Sequence, residues 1–503
     1  MNKQAKIFLV IAIALGLALG LVLWRFTVDD SYISYRYSKN LSDGAGIVWN
    51  KGEKPVEGYT NFLWVVILAA FIKAGLDPVV VSKLLGLLLL AGTGVLAYSA
   101  GVKLLEKRTP VLAVIPVLIF SINASFVIHA VSGLETMLFS FVLMAIAYLA
   151  LEAVENNSSR TRIMLYSCFL ISGLVRPEGV LFSFITFIVL LFMDRQTRSL
   201  KSLKWFLVCF ILPGAAYMAW RLAYFGYLLP NTFYIKGTPG KPLVGLEYVG
   251  SFVLGYYGVY IILLLLCAIL VREKKKYIFI IPALTVIAYY CTVLSLMGYC
   301  FRYLMPFYPL LLVPLVLLPD KLLSKKDRRF KFRLAGVAVV CLGLLFLSYL
   351  EFSGIMGYAR DYSEGLKKVH VKFGKALKSA VGENPEKYTL AVGDAGAMPF
   401  YSEFRAIDTI GLNDVNLARK GFDSEYVFIN NPDVLVLYSE DGKTASFTMG
   451  SGHDYIISLH PAMANYDLRG VLQFGQGYFM LCYFRRAMPN YQNILMKIAA
   501  GYQ

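Results

Sequence analysis

Long apolar segments are the feature that most limits what this chain can fold into. A segment of about 17–25 apolar residues can cross a bilayer as a helix, and such segments recur between residues 7 and 350. The 503 residues are 58% hydrophobic and 16% charged, against about 45–50% and about 25% in soluble domains. The chain is therefore predicted to be a polytopic α-helical membrane protein.

The net charge of +17 lies mostly in short loops between these segments. Clusters of Lys and Arg in short loops mark the cytoplasmic side of a membrane protein, so they are interpreted as topology signals and nucleic-acid binding is not expected. The first segment lacks a small-residue cleavage site before Asp29 and is predicted to be a retained helix. The basic loops are residues 103–108, 160–162, 195–204, 272–276 and 321–333.

With the N-terminus and every basic loop in the cytoplasm, the chain crosses the membrane about eleven times. Segment 61–76 is too short to cross and is expected to lie in the outer interface. Segment 163–193 must cross twice with a break at Val175–Gly179, because proline and glycine interrupt helices, and such a break is tolerated only beside a cavity. The other predicted crossings are 7–26, 79–102, 110–128, 134–152, 204–223, 249–271, 277–297, 303–319 and 334–350.

Residues 351–503 differ from the rest because their apolar runs are too short to cross a membrane. The predicted organisation is a transmembrane domain at 1–350, whose first external loop at 27–78 carries the candidate catalytic residues, and an extracytoplasmic α/β domain at 351–503. In this second domain the patterns predict strands at Tyr388–Val392, Val434–Tyr438 and Tyr478–Phe484, and helices at Ser363–Val381 and near Asn413–Arg419.

The predicted topology gathers polar residues from distant parts of the chain on the outer face. Ionisable groups at membrane depth are costly and are therefore functional candidates. A carboxylate can remove the proton from an attacking hydroxyl, so Asp29 and Asp30 are predicted to be catalytic. Cationic side chains can hold a phosphate and stabilise it as a leaving group. The candidates for this role are Arg176, Lys236, Arg302, Arg221 and Lys54.

Other residues on the same face are predicted to bind the substrates. Each candidate also has a structural alternative: adjacent acids can be a solvated helix end, and a lone histidine can be a packing residue. Asp29 and Asp30 could instead hold a divalent cation through their oxygen atoms, and no other cofactor is expected. The substrate-binding candidates are Arg36, Glu57, Tyr59, Asn61, His129, Glu135, Glu178, Asn231 and Tyr234.

Eight different short motifs lie in the predicted outer loops and in the C-terminal part of the chain. They are DDSYISYRY at 29–37, GIVWN at 46–50, PVEGYTNFLW at 55–64, SGLET at 132–136, RPEG at 176–179, LPNTFY at 229–234, GDAGAMPFY at 393–401 and IDTIGLND at 407–414. Together they resemble the GT-C membrane glycosyltransferases, and most closely the terminal arabinofuranosyltransferases of the bacterial cell wall. The likeness extends over nearly the whole chain.

The resemblance implies an inverting transfer of a sugar from a polyprenyl-phosphate donor on the outer face of the membrane. By the same resemblance the base is Asp29 or Asp30, and the acceptor is a cell-envelope glycan, glycolipid or glycoprotein. Arabinofuranose is the sugar that the closest resemblance implies, although likeness of fold does not fix the sugar.

Two functions of other classes compete with this hypothesis. A transporter or flippase of lipid-linked saccharides would place charge on both sides of a central pathway and carry inverted repeats, and the sequence contains no such repeat. A non-catalytic envelope assembly factor would tolerate replacement of both Asp29 and Asp30 by asparagine.

Overall fold

The computed structural model describes residues 3–106, 108–156, 158–236, 243–293, 298–323, 330–447, 452–489 and 491–502. The chain is mainly helical as far as residue 366. The helices are α1 (Lys3–Val22), α2 (Ser31–Ser42), α3 (Phe62–Lys73), α4 (Pro78–Leu104), α5 (Val114–Ile122), α6 (Ala124–Val131), α7 (Thr136–Glu155), α8 (Ser159–Val175), α9 (Glu178–Met193), α10 (Leu200–Phe206), α11 (Leu212–Phe225), α12 (Asn231–Lys236), α13 (Val244–Leu254), α14 (Gly258–Leu270), α15 (Tyr277–Tyr290), α16 (Tyr308–Leu312), α17 (Leu317–Leu323) and α18 (Phe330–Leu366).

Within the described residues, six helical segments are long and apolar enough to cross a bilayer, or eight if the bent pairs α5–α6 and α13–α14 each count as one span. Helices α3 and α9 are apolar but shorter. The multi-pass helical architecture is therefore as predicted. The count of eleven crossings needs further short helices, such as α8 and α15, and stays a prediction.

Several predicted crossings are broken rather than straight. The expected break within 163–193 is present, since α8 ends at Val175 and α9 begins at Glu178. Two breaks were not expected: α5 and α6 meet at 72° around Asn123, and α13 and α14 meet at 76°. Asn123 accepts a hydrogen bond from the Phe126 N–H at 2.8 Å, so its side chain begins α6 as a new helix.

The carboxylate of Glu351 connects both bent pairs to α18. It accepts hydrogen bonds from Asn123 Nδ2 at 3.1 Å and Ser125 Oγ at 2.6 Å, at the start of α6. It also accepts one from the Tyr257 hydroxyl at 2.7 Å, at the start of α14. Polar groups near the helix breaks are thus paired inside the protein, as a bilayer requires.

The C-terminal part of the chain is an α/β unit with one five-stranded sheet. Its strand order is β2-β1-β3-β5-β4, with β1 parallel to β2 and β3, and β5 antiparallel to β3 and β4. Its elements are α19 (Lys372–Val381), β1 (Thr389–Val392), α20 (Ala397–Ser402), β2 (Arg405–Asp408), α21 (Val415–Lys420), α22 (Ser424–Ile429), β3 (Val434–Ser439), α23 (His453–Ser458), β4 (Tyr466–Gly475), β5 (Tyr478–Arg485) and α24 (Tyr491–Tyr502).

Three of these strands and both helical regions lie where the sequence predicts them. Strand β2 was not predicted because it has only two apolar residues, between Arg405 and Asp408, and β4 because polar side chains interrupt its apolar pattern. A short π-helical segment, Lys367–Val371, joins α18 to α19, so one helical segment runs from Phe330 to Val381. It passes through the predicted domain boundary at 350/351 without a break.

Arg36, on α2, attaches the loop at 27–78, the predicted first external loop, to the C-terminal unit. Its guanidinium donates to the carbonyl oxygens of Pro399 and Phe404, at 2.5 and 2.8 Å, and to the Trp49 carbonyl at 2.8 Å. It also donates to Asn50 Oδ1 at 2.9 Å. Burial lowers the pKa of Arg36 to about 10, so the side chain stays charged at neutral pH. The sequence predicts that Arg36 binds substrate. In the structure its guanidinium makes these four hydrogen bonds within the protein instead.

Replacing Arg36 is expected to loosen the contact between the two parts of the chain. Arg36→Met leaves buried carbonyl oxygens without donors, which costs about 3 kcal/mol or more. We expect a lower thermal unfolding midpoint for purified protein in lipid nanodiscs. Arg360→Met is the control, because the Arg360 side chain is 78% exposed. Equal midpoints for the two variants would contradict this role of Arg36.

Candidate active site

The first external loop carries Asp29 and Asp30 between α1 and α2. The Val28 N–H donates to the Ser132 carbonyl oxygen at 3.0 Å, which joins this loop to the turn before α7. Helix α2 begins at Ser31, directly after the acid pair. Two adjacent carboxylates in a turn point in different directions, and here they have different surroundings.

Asp30 lines a cavity of about 450 Å³. The walls come from the first external loop, the start of α7, the break between α8 and α9, the loop before α12, the end of α15 and the segment around residue 302. Leu412, from the C-terminal unit, also lines it. The polar lining residues include Asp30, Ser34, Asn61, Glu135, Arg176, Glu178 and Arg302, and the aromatic ones are Tyr59, Phe233, Tyr289, Tyr290 and Tyr303.

Glu135 is the centre of the charged network in this cavity. Its carboxylate accepts a hydrogen bond from Asn61 Nδ2 at 2.8 Å. Arg302 Nη2 lies 3.3 Å from Glu135 Oε1, and Arg176 Nε lies 3.8 Å from the same oxygen. Glu135 is 1% exposed, and a buried carboxylate needs cations beside it to compensate its charge. Arg302 and Arg176 supply that compensation.

The two guanidiniums also contact the other carboxylates of the cavity. Arg302 Nη1 is 3.8 Å from Asp30 Oδ2, and Arg176 Nη2 is 2.7 Å from Glu178 Oε1. Arg176 Nη1 and Arg302 Nε are buried and have no hydrogen-bond partner among the described residues. An unpaired buried donor is costly, so a ligand oxygen that accepts from these groups would stabilise them.

Asp29 lies outside the cavity lining and faces the C-terminal unit. Its carboxylate accepts hydrogen bonds from the N–H groups of Gly396 and Ala397, at 3.0 and 2.8 Å, and lies 3.1 Å from His370 Nδ1. Both carboxylate oxygens of Asp29 already accept hydrogen bonds from N–H groups, and this arrangement does not suit the binding of a cation. Among the residues that the structure describes, no group of three or more His, Cys, Asp or Glu side chains could hold a metal ion.

Seven of the residues predicted for the site line the cavity, and the others have different surroundings. Arg221 and Glu57 form a buried ion pair at 2.6 Å, and burial raises the pKa of Glu57 although Arg221 opposes this. The Asn231 N–H donates to the Glu57 carbonyl oxygen at 3.0 Å. These three residues thus support the wall formed by Leu229 and its neighbours.

Three further predicted residues, His129, Tyr234 and Lys54, do not line the cavity. His129 is buried with Nε2 3.0 Å from the Cys300 carbonyl oxygen, so it is a packing residue. Tyr234 packs against the Arg419 guanidinium, 4.1 Å from its ring centre. Lys54 is exposed on the first external loop. The side chain of Lys236 lies outside the described part of the structure.

Sequence reasoning missed several lining residues. The Tyr290 hydroxyl donates to the Glu178 carboxylate, and the Tyr303 ring lies under Arg176, with 4.8 Å between the ring centre and the guanidinium carbon. Tyrosines at helix ends look like interfacial anchors in a sequence, so these two had no distinguishing signal. Ser34 did have a distinguishing signal in the sequence, because it lies one helical turn after Asp30.

A domain of unknown function, DUF8728, matches residues 359–491, which is the C-terminal α/β unit and the end of the helix that leads into it. The description of this match names no activity.

In sequence, the chain is similar to two curated proteins named terminal β-(1→2)-arabinofuranosyltransferase. The protein from Mycobacterium tuberculosis is 30% identical over 254 residues, which are 45% of this chain and 38% of that protein. The protein from Corynebacterium glutamicum is 28% identical over 267 residues, 48% of this chain and 38% of that protein. The matched region thus spans less than two fifths of these relatives.

In structure, the chain is similar to membrane glycosyltransferases over almost its whole length. ArnT from Cupriavidus metallidurans, bound to undecaprenyl phosphate, has a TM-score of 0.58 at 13% identity, and the match covers 97% of this chain and 99% of that one. AglB, the oligosaccharyltransferase of Archaeoglobus fulgidus, in complex with an inhibitory peptide and a dolichol-phosphate, has a TM-score of 0.57 at 13% identity, covering 88% of this chain and 70% of that one. The predicted resemblance is therefore confirmed: the chain has the fold of GT-C glycosyltransferases and a local sequence likeness to the terminal arabinofuranosyltransferases.

Proposed function

We propose that this protein is a glycosyltransferase that moves a sugar from a polyprenyl-phosphate donor to an acceptor hydroxyl at the membrane surface. One observation carries the proposal. Asp30 lines the same cavity as Arg302 and Arg176, 3.8 Å from the Arg302 guanidinium, and each arginine keeps a buried N–H without a partner among the described residues. A base and phosphate-binding cations side by side are what such a transfer needs.

Asp30, rather than Asp29, is the proposed base. A general base must reach the proton that it removes, and Asp30 is the member of the pair that lines the cavity. Both carboxylate oxygens of Asp29 accept backbone hydrogen bonds instead. Accepting a further proton there would displace an existing donor.

The proposed reaction is an in-line displacement at the anomeric carbon. Asp30 removes the proton of the acceptor hydroxyl while the acceptor oxygen forms a bond to that carbon. The bond between the anomeric carbon and the phosphate oxygen breaks, and its electron pair leaves with the polyprenyl phosphate. Arg302 and Arg176 donate hydrogen bonds to that phosphate as its charge grows. Attack from the side opposite the phosphate inverts the anomeric centre.

The donor and the acceptor are proposed to approach from different walls. Phe233, Tyr289 and Val293 add apolar surface to the cavity lining, which suits a lipid chain. The solved structures of ArnT and AglB that resemble this chain are complexes with undecaprenyl phosphate and with a dolichol-phosphate. Gly58, Thr60 and Leu412 form an uncharged wall under the C-terminal unit, which suits a glycan hydroxyl. Arabinofuranose is the first sugar to test, because it is the one named in the similar curated proteins.

The orientation in the membrane is part of the proposal. The basic loops in the cytoplasm place the cavity, the first external loop at 27–78 and the α/β domain at 351–503 on the extracytoplasmic side, after eleven crossings of a domain at 1–350. In support, the cavity lining contains residues of the first external loop and of the α/β domain together, so both must lie on one side.

Asp30→Asn is expected to lower transfer by at least about a hundredfold, because the base is lost while the shape of the side chain is kept. The assay is transfer of labelled sugar by purified protein in lipid nanodiscs from a panel of polyprenyl-phosphate sugars that includes arabinofuranose. Asp43→Asn is the matched control, since Asp43 belongs to the same loop, is 37% exposed and lies outside the cavity lining.

Turnover by the Asp30→Asn variant at the wild-type rate would contradict the assignment of the base. Movement of lipid-linked saccharide across the bilayer without a new glycosidic bond would favour the transporter. Binding of a glycan by both Asp29→Asn and Asp30→Asn without loss of cellular function would favour an assembly factor.

Arg302→Lys is expected to weaken binding of the donor phosphate about tenfold, since lysine keeps the charge beside Glu135 but loses the forked donors. The measurement compares the affinities for undecaprenyl phosphate and for neutral undecaprenol. The ratio of the two affinities should fall in Arg302→Lys and stay unchanged in the exposed control Arg360→Lys. An unchanged ratio in Arg302→Lys would remove Arg302 from the phosphate site.

A further inference from the structure

The C-terminal unit and the end of α18 hold Asp29 through three hydrogen bonds that span 333 to 368 positions of the chain. The N–H groups of Gly396 and Ala397, at the start of α20, donate to Asp29 Oδ2 and Oδ1. The Asp29 N–H donates in turn to the Tyr362 hydroxyl at 3.0 Å. Side chain and backbone of Asp29 are thus both fixed by a part of the chain outside the cavity.

A buried histidine extends this contact. His370 Nδ1 lies 3.1 Å from Asp29 Oδ1, and His370 Nε2 lies 3.4 Å from Asp394 Oδ2. The Tyr478 hydroxyl donates to the same Asp394 oxygen. The His370 side chain is 2% exposed, so its ring is held in one orientation between two carboxylates. We name Asp29, His370, Asp394 and the N–H groups of Gly396 and Ala397 the Asp29 clasp.

The Asp29 clasp lies one residue from the group that faces the substrate. Consecutive Cα atoms are about 3.8 Å apart, so the backbone position of Asp29 decides where the Asp30 side chain enters the cavity. A misplacement of about 1 Å can cost a catalytic group about a hundredfold in rate. Fixing Asp29 is therefore a way to fix the distance between Asp30 and Arg302.

We propose that the Asp29 clasp positions the base, so that the C-terminal unit completes an active site most of which it does not line. The proposal rests on the proposed function of Asp30. It makes Asp29 a positioning residue, and it gives the matched domain of unknown function a role in the reaction. His370 and Asp394 act through Asp29 and do not touch the substrate.

Gly396 provides a specific way to open the clasp. A Cβ atom on Gly396 would lie 2.2 Å from the Asp29 carbonyl oxygen and 2.2 Å from its Oδ2, which is far inside van der Waals contact. Gly396→Ala must therefore push Asp29 away from the loop, although residue 396 does not line the cavity. Gly475→Ala is the matched control, because a Cβ atom there meets nothing within 4 Å.

The test measures loop position and catalysis separately in wild type, Gly396→Ala and Gly475→Ala in lipid nanodiscs. Hydrogen exchange of peptides covering residues 27–37 reports the loop without any substrate. Transfer assays give kcat and the KM of the donor. In Gly396→Ala we expect at least about tenfold faster exchange in these peptides, kcat lower by about tenfold or more, and a donor KM within about twofold of wild type. Gly475→Ala should match wild type in all three.

Asp29→Asn is the second variant, for the case that Gly396→Ala does not fold. In Asp29→Asn an NH2 group replaces one of the two carboxylate oxygens that accept hydrogen bonds from Gly396 and Ala397. This donor would face an N–H donor, so hydrogen exchange in residues 27–37 should again be faster and kcat lower. The decrease of kcat at acidic pH, where the base becomes protonated, should persist in Asp29→Asn and vanish in Asp30→Asn. This difference separates a positioning residue from the residue that removes the proton.

Unchanged exchange in residues 27–37 of the folded variants would overturn the clasp, whatever the transfer assay gives. Faster exchange with wild-type kcat would overturn positioning, because the loop would then move without consequence. Absence of transfer by the wild-type protein with every donor would instead refute the proposed function, and the exchange measurement would still decide whether the C-terminal unit holds the loop.

Discussion

Lipid offers no hydrogen bonds, so polar groups exposed where a membrane helix breaks must find partners inside the protein. Two carboxylates, Glu351 and Glu135, help to meet this requirement. Glu351 joins both bent helix pairs to α18, and Glu135 ties Arg302 and Arg176 together beside the break between α8 and α9. The cavity depends on the second carboxylate, because without Glu135 the two guanidiniums would repel each other.

The sequence predicted the elements that are governed by local chemistry and missed those that depend on distant partners. The break at Pro177 and the gathering of Glu135, Arg176 and Arg302 on one face followed from apolar length, charge and proline. The different surroundings of Asp29 and Asp30 did not, because no local pattern distinguishes two adjacent aspartates. The surroundings of Asp29 come from residues more than 330 positions away, which no local pattern can indicate.

The charge balance of the cavity bears on the end of the proposed reaction. Among the lining residues that the structure describes, three carboxylates (Asp30, Glu135 and Glu178) face two guanidiniums. A donor phosphodiester carries one negative charge, whereas the released monoester carries about −1.5 to −2 at pH 7. Once Asp30 has released the proton that it took from the acceptor, repulsion by the excess carboxylate is stronger for the product than for the donor, and this difference favours departure of the spent lipid.

The helical segment from Phe330 to Val381 has 52 residues and so measures about 78 Å along its axis. Three of its side chains make these contacts. Glu351 accepts hydrogen bonds at the bent helix pairs, the Tyr362 hydroxyl accepts one from the Asp29 N–H, and His370 lies beside the Asp29 carboxylate. One helical segment thus connects the candidate membrane-spanning part of the chain to the turn that carries the proposed base. In the proposed reaction, a change in bilayer thickness that tilts this segment would shift that turn and so change the rate of transfer.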